Sequence, residues 1–245
     1  MPEAPLEVAI PGSAWDGHDL QMIAFGSAPP RPHDLLWVTD PMALQCGVSL
    51  PRWAQSALRK TAPLVVRRDV AAPPNLVPVG LRGKNRSERL GGWVSRDCIV
   101  RRVGPEDLRS DGVRRSRPSL AHLPALRALA KLAPALEAIG LAWGPTGSVG
   151  YALATGLPVL RAESDLDLLV RAPCKPNSEQ RAQLIALATG ATCRLDIQID
   201  SGRGAFAFAE WAAGRERRRV LLKTNHGPVL TDDPWDAVDA RRIRE

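Results

Sequence analysis

Asp165 and Asp167 stand two residues apart in the apolar stretch Ser164-Asp165-Leu166-Asp167-Leu168-Leu169-Val170. On a strand such residues share a face, so both carboxylates project the same way, roughly 7 Å apart at the backbone. Left uncompensated, the pair repels and raises a pKa; a bound Mg²⁺ removes that cost. Mg²⁺ favours carboxylate oxygens together with substrate phosphates, which makes phosphoryl or nucleotidyl transfer the natural chemistry. A third carboxylate is available in Arg194-Leu195-Asp196-Ile197-Gln198-Ile199-Asp200. Asp196 is flanked by apolar residues and joins the pair if the two strands are neighbours, with Asp200 in reserve. Upstream, Gly147-Ser148 follows a strand and opens a helix, where free N–H groups and the positive helix end favour an anion. Glycine lets a phosphate approach the backbone closely, and Ser148 adds a hydroxyl donor.

These residues need elements to hold them. The spacing of Leu126, Leu129, Leu132, Leu136 and Ile139 predicts an amphipathic helix begun by Pro124 and stopped by Gly140. A strand over 141–143, a glycine loop and a helix over 149–155 ending at Gly156 then lead to the strand 165–171. A helix over 177–189 capped by Asn177 or Ser178, a strand over 192–199, a helix over 205–213 and a strand over 219–222 follow. Ahead of these, 35–38, 64–66 and 76–79 read as short strands between proline breaks, with a helix over 53–60. The expected architecture is α/β (α+β), a small N-terminal α/β module over 1–81 and a catalytic domain over 82–245 with a mixed sheet flanked by helices. The polar, glycine-bearing segment 80–89 reads as the linker or a binding loop.

Composition narrows the function classes. With 245 residues, 44% hydrophobic and 24% charged, the chain is globular rather than fibrous or disordered. No apolar run approaches the roughly 18 residues of a membrane span, and the first ten residues lack a basic, apolar signal segment, so a cytoplasmic, non-membrane protein is expected. The four cysteines have no metal-ligand spacing and read as reduced core thiols. Net charge is +7, concentrated in 82–117, which holds 11 basic against 5 acidic residues. Such a segment attracts polyanions. Few aromatics accompany it, so nucleic acid is an unlikely partner. His33-Asp34 lie adjacent, on opposite strand faces, which favours a structural role over an acid/base pair.

Strand, Gly-Ser, helix, then Asp-Leu-Asp-Leu on the next strand and a further acid on a later one is the arrangement of the nucleotidyltransferase superfamily that includes DNA polymerase beta. The run from Gly147 to Gly156 followed by 164–168 resembles, more closely, the phosphoribosyl-dephospho-CoA transferases, the holo-acyl-carrier-protein synthases of malonate decarboxylase. The likeness extends to 31–37, 80–83, 227–230 and 233–235 and so spans nearly the whole chain. It implies transfer of 2′-(5″-phosphoribosyl)-3′-dephospho-CoA from triphosphoribosyl-dephospho-CoA to a serine of the malonate decarboxylase acyl carrier protein, with pyrophosphate released. In that reaction Asp165, Asp167 and Asp196 would be the catalytic and metal-holding residues for two Mg²⁺ ions, with Mn²⁺ as a substitute, and Asp196 either a ligand or the serine's base. Gly147 and Ser148 would contact substrate, and Arg82, Lys84, Arg86, Arg89 and Lys223 would be the cations offered to the triphosphate. Two other readings remain: an RNA or small-molecule hydroxyl as acceptor, and a non-catalytic nucleotide- or CoA-binding module.

Overall fold

A computed structural model describes residues 28–60, 62–70, 74–83, 87–109, 120–213 and 219–236. Among them five helices and two sheets build two lobes. The first sheet is antiparallel, in the order β4-β3-β2-β1-β5, from β1 (Leu35–Val38), β2 (Leu64–Val66), β3 (Leu76–Arg82), β4 (Arg89–Ser95) and β5 (Ile99–Val103). Helix α1 (Arg52–Arg59) presses Ala54 and Leu58 onto Leu36, Leu64, Val79 and Leu81 on one face. The sheet therefore runs well past the division expected after Leu81. That point falls inside the β3–β4 hairpin, because Leu81 pairs with Leu90 and Arg82 with Arg89. Within the polar segment read as a linker or binding loop, residues 80–82 belong to β3 and Arg89 to β4, so these residues are paired strand rather than a linker between lobes.

The second sheet has the order β11-β10-β9-β8-β7-β6, with β6 (Ala142–Pro145), β7 (Leu166–Arg171), β8 (Leu195–Asp200), β9 (Ala205–Ala207), β10 (Val220–Thr224) and β11 (Gly227–Thr231). It is mixed: β7 and β8 are parallel and every other pair is antiparallel. Parallel neighbours need a crossover, supplied by α4 (Ser178–Thr189), whose start is fixed by a reciprocal capping box of Asn177 and Gln180. Helices α2 (Pro124–Ala138) and α4 cover one face, where Leu126, Leu129 and Leu184 pack on Leu166, Leu168, Val170, Ile197 and Ile199. Alternation along β7 and β8 then turns Asp167, Arg171, Asp196 and Asp200 to the other face. The helix expected over 205–213 is only half right. Ala205–Ala207 pair with β8 and β10 as strand, and the helix, α5, is Phe208–Ala212.

Two features join the lobes. The 3-10 turn Pro105–Leu108 lies against β6 so closely that a Cβ on Gly144 would come 1.9 Å from the Pro105 carbonyl oxygen. Beside it, Leu35 and Val103 of the first lobe meet Leu108 and Ala154. The second feature is an ionic cluster around Arg171, whose side chain is 9% exposed. Its guanidinium donates to Glu106 and, at 2.8 Å, to Asp200, and reaches the Pro32 carbonyl at 3.2 Å and Asp34 at 3.6 Å. His33 adjoins this cluster in the left-handed region, φ 76°. Burial and the nearby Arg68 and Arg171 guanidinia lower its pKa to about 4, so the imidazole is neutral near pH 7. The four cysteines are free thiols as expected, but none is buried, and Cys174 is exposed.

Candidate active site

The site is built at the N-terminal ends of β7 and β8. Their parallel register sets Asp167 directly opposite Asp196, with Asp165 just ahead of β7. Helix α3 (Gly147–Thr155) begins against them: the Thr146 N–H donates to the Asp167 carbonyl at 2.8 Å, and Gly156 closes the helix in the left-handed conformation. Gly147 is required twice over. Its φ is +57°, and a Cβ there would sit 1.8 Å from Asp167 Oδ2. Only glycine allows the helix start and the carboxylate to approach this closely. A Gly147→Ala protein is expected to remain folded but lose most activity, because the methyl must displace the Asp167 carboxylate. Near-wild-type turnover would show that Asp167's position is not critical.

Electrostatics single out Asp167. Burial, followed by the charges of Asp196 and Asp165, raises its pKa above the usual 3.8, while Arg82 and Arg194 pull it down. Arg82 comes from the first lobe, at the end of β3, so the site lies where the lobes face each other. The same guanidinium acts on Tyr151, one turn into α3 from Ser148, whose phenol burial pushes up to about 12. Asp165 meets Arg194, with Nη1 to Oδ2 at 3.6 Å.

The structure thus brings together Asp165, Asp167, Asp196, Gly147, Ser148 and Arg82. Asp200 is on the same face but four residues along β8, held by Arg171 and by Arg68 at 3.1 Å, and its other oxygen accepts from the Gly202 N–H. It belongs to the lobe junction. Lys223 pairs with Ala205, which itself pairs with Asp200, so it is in the junction row too and apart from the three carboxylates. Arg89 lies beside Arg82 across the hairpin. Lys84 and Arg86 lie outside the described residues. Tyr151 and Arg194 were not read from the sequence. Arg194 had a signal: it is two residues before Asp196, and strand alternation puts it on the same face. Tyr151 had none, since only the packing of the lobes brings it to Arg82.

Among the described residues, no three Asp, Glu, His or Cys side chains close into a ready-made metal cage. The donor set nevertheless suits Mg²⁺, which commonly takes one or two carboxylates and completes its shell with water and substrate phosphates. Burial, and after it the charges of Asp196 and Asp165, raise Asp167's pKa, and a cation would relieve that crowding of charge.

Two family models match the chain, the phosphoribosyl-dephospho-CoA transferase MdcG N-terminal domain over residues 31–105 and its C-terminal domain over 112–234. The chain belongs to the phosphoribosyl-dephospho-CoA transferase family. Curated relatives of that name include one from Pseudomonas putida, 45% identical over 86% of this chain and 97% of the relative. Others come from Klebsiella pneumoniae strain 342, 43% identical over 85% and 98%, and Pseudomonas aeruginosa, 42% over 85% and 95%. No solved structure matches the chain. Membership makes this protein an enzyme of the transferase class acting on a CoA-derived group. The two family regions follow the two lobes, the first ending just beyond β5 and the second holding every carboxylate of the site. No helix among the described residues is long and apolar enough to cross a membrane.

Proposed function

We propose that this enzyme transfers 2′-(5″-phosphoribosyl)-3′-dephospho-CoA from its 5″-triphosphate precursor to a serine hydroxyl of the malonate decarboxylase acyl carrier protein, releasing pyrophosphate. The observation that carries the reading is the register of β7 and β8, which opposes Asp167 and Asp196 at the start of α3, with Asp165 alongside and Arg82 facing them. Carboxylates of this kind bind divalent cations, and the helix start and arginine bind phosphates.

In the reaction the serine oxygen bonds to the α-phosphorus, the bond from that phosphorus to the bridging oxygen breaks, and its electrons leave with pyrophosphate. Asp165 and Asp167 would hold Mg²⁺, two ions in this reading, with Mn²⁺ as substitute. The metal, when bound, favours the serine alkoxide and neutralises charge on the leaving pyrophosphate. Asp196, the most exposed of the three, either completes the metal's ligands or takes the serine proton. Arg82 binds phosphate oxygens from the first lobe, so donor binding spans both lobes. The excess of basic residues in 82–117 suits an acidic carrier protein.

Intact mass of the carrier protein, measured after incubation with enzyme, donor and Mg²⁺, is expected to rise by one prosthetic group. Chelation of divalent metal is expected to stop the gain, and added Mn²⁺ to restore it. Full transfer in excess chelator would remove the metal from the mechanism. No transfer to a carrier whose serine is confirmed free would remove the acceptor.

A further inference from the structure

Among the described residues, Arg82 and Arg194 both act on Asp167, and the reaction described above uses only Arg82. Arg194 stands immediately before β8 and meets Asp165 at 3.6 Å, with side-chain exposures of 82% for the arginine and 37% for the aspartate. An ion pair this open to water is weak, so exchanging its partner costs little. Its position is not incidental. Asp165 is one of the two carboxylates pressing on Asp167, and Arg194 is one of the two cations relieving that pressure. A divalent cation at this site competes with Arg194 for Asp165. Once displaced, the guanidinium remains at the mouth of the site, and its planar fork of donors matches phosphate oxygens.

We propose that Arg194 is an exchangeable counter-ion: it holds Asp165 in the metal-free enzyme and, when a divalent cation takes that carboxylate, turns to bind the donor's outer phosphates, which leave as pyrophosphate. The proposal rests on the reading that Asp165 and Asp167 hold a divalent cation. It makes metal and donor binding mutually reinforcing, because the metal frees the residue that grips the donor.

The exchange predicts two effects of opposite sign for Arg194→Ala. Without donor, Mn²⁺ titrated into the full chain, with free Mn²⁺ followed by electron paramagnetic resonance, is expected to bind about two- to fivefold tighter, the scale of one lost exposed ion pair. The KM for the donor is expected to rise about tenfold, as for a lost charge-assisted hydrogen bond, with a smaller change in kcat. Arg194→Lys should recover part of the KM. A purely structural arginine would not tighten Mn²⁺ binding when removed. If Asp167→Asn abolishes Mn²⁺ binding while Arg194→Ala leaves it unchanged or weaker, the counter-ion proposal is overturned and the metal site stands. If wild type binds no Mn²⁺, or Asp167→Asn binds it normally, the metal reading and this proposal fall together.

Discussion

Asp167→Asn is expected to lower transfer to the carrier protein by at least about 10²–10³-fold, the scale seen when one preorganised electrostatic group is lost from a transition state. The substitution keeps the side chain's shape beside Gly147 and removes only its charge, so the loss would be chemical. Stability should move the other way. Burial and the charges of Asp196 and Asp165 raise the carboxyl's pKa in the folded protein above its ordinary 3.8. The folded state therefore binds this proton more tightly than the unfolded one, and the wild type loses stability as pH rises from about 3.8 through the raised value. The asparagine variant lacks that term and should be equally or more stable at pH 7. Comparing carrier modification with thermal unfolding across pH checks both halves. An active variant would remove Asp167 from the chemistry, and an inactive but destabilised one would give it a structural role instead.

The second large effect is expected at the lobe junction. Arg171→Ala removes the cation common to Glu106, Asp200 and Asp34 and leaves buried carboxylates without it. Breaking a buried ion pair from one side typically costs about 3–5 kcal/mol, so the unfolding midpoint should fall by roughly 10 °C. A shift under about 2 °C would show that the cluster is solvated in solution. Removing opposed charges together, as in Arg171→Leu with Asp200→Asn, should cost less than the sum of the single changes.

The junction also carries a pH signature. For Glu106, burial pushes the pKa up, but its own backbone N–H and the Arg171 guanidinium outweigh burial and hold it below 4.5. Its contribution to stability is present above about 4.5 and is lost as pH falls through the lower folded value. Asp34 goes the other way, raised by burial against the Arg31 N–H bond and Arg171. The difference has a geometric cause: Arg171 donates directly to Glu106 but stands 3.6 Å from Asp34, which is 1% exposed. Arg171→Ala should therefore flatten the acid limb of stability below about pH 4.5, and chemical unfolding at several pH values would read it.

The local elements of the second lobe were legible because they depend on short spacings. Asp165 and Asp167 are two residues apart, the Gly147-Ser148 turn precedes a helix that Gly156 ends, and the leucine spacing of α2 is a helix period. Each depends on neighbours in sequence, where alternation and helical repeat operate. Less was legible where pairing partners are distant. β4 carries Gly91 and Gly92 at its middle, which break any strand pattern of its own; it is a strand because β3 lies beside it. Ala205–Ala207 has helix-forming composition, yet the open positions between β8 and β10 claim its backbone hydrogen bonds.

From the sequence by itself came the carboxylate pair, the Gly147-Ser148 helix start, the mixed α/β class and the resemblance to a transferase family. Only the tertiary structure decided which acids and bases share a site. Asp196 and Asp200 are equivalent by alternation, and the parallel register of β7 and β8 puts the first opposite Asp167 and the second opposite Arg171. Arg82, read in a loop, and Lys223, read at a strand end, were offered alike to the triphosphate, and the docking of the lobes carries one to Asp167 while the fold of the second sheet keeps the other in the junction row. The physical reason is one of range. Side-chain direction follows from a two- or four-residue repeat, whereas proximity across strands and lobes is set by burial of surfaces that no short stretch of sequence contains.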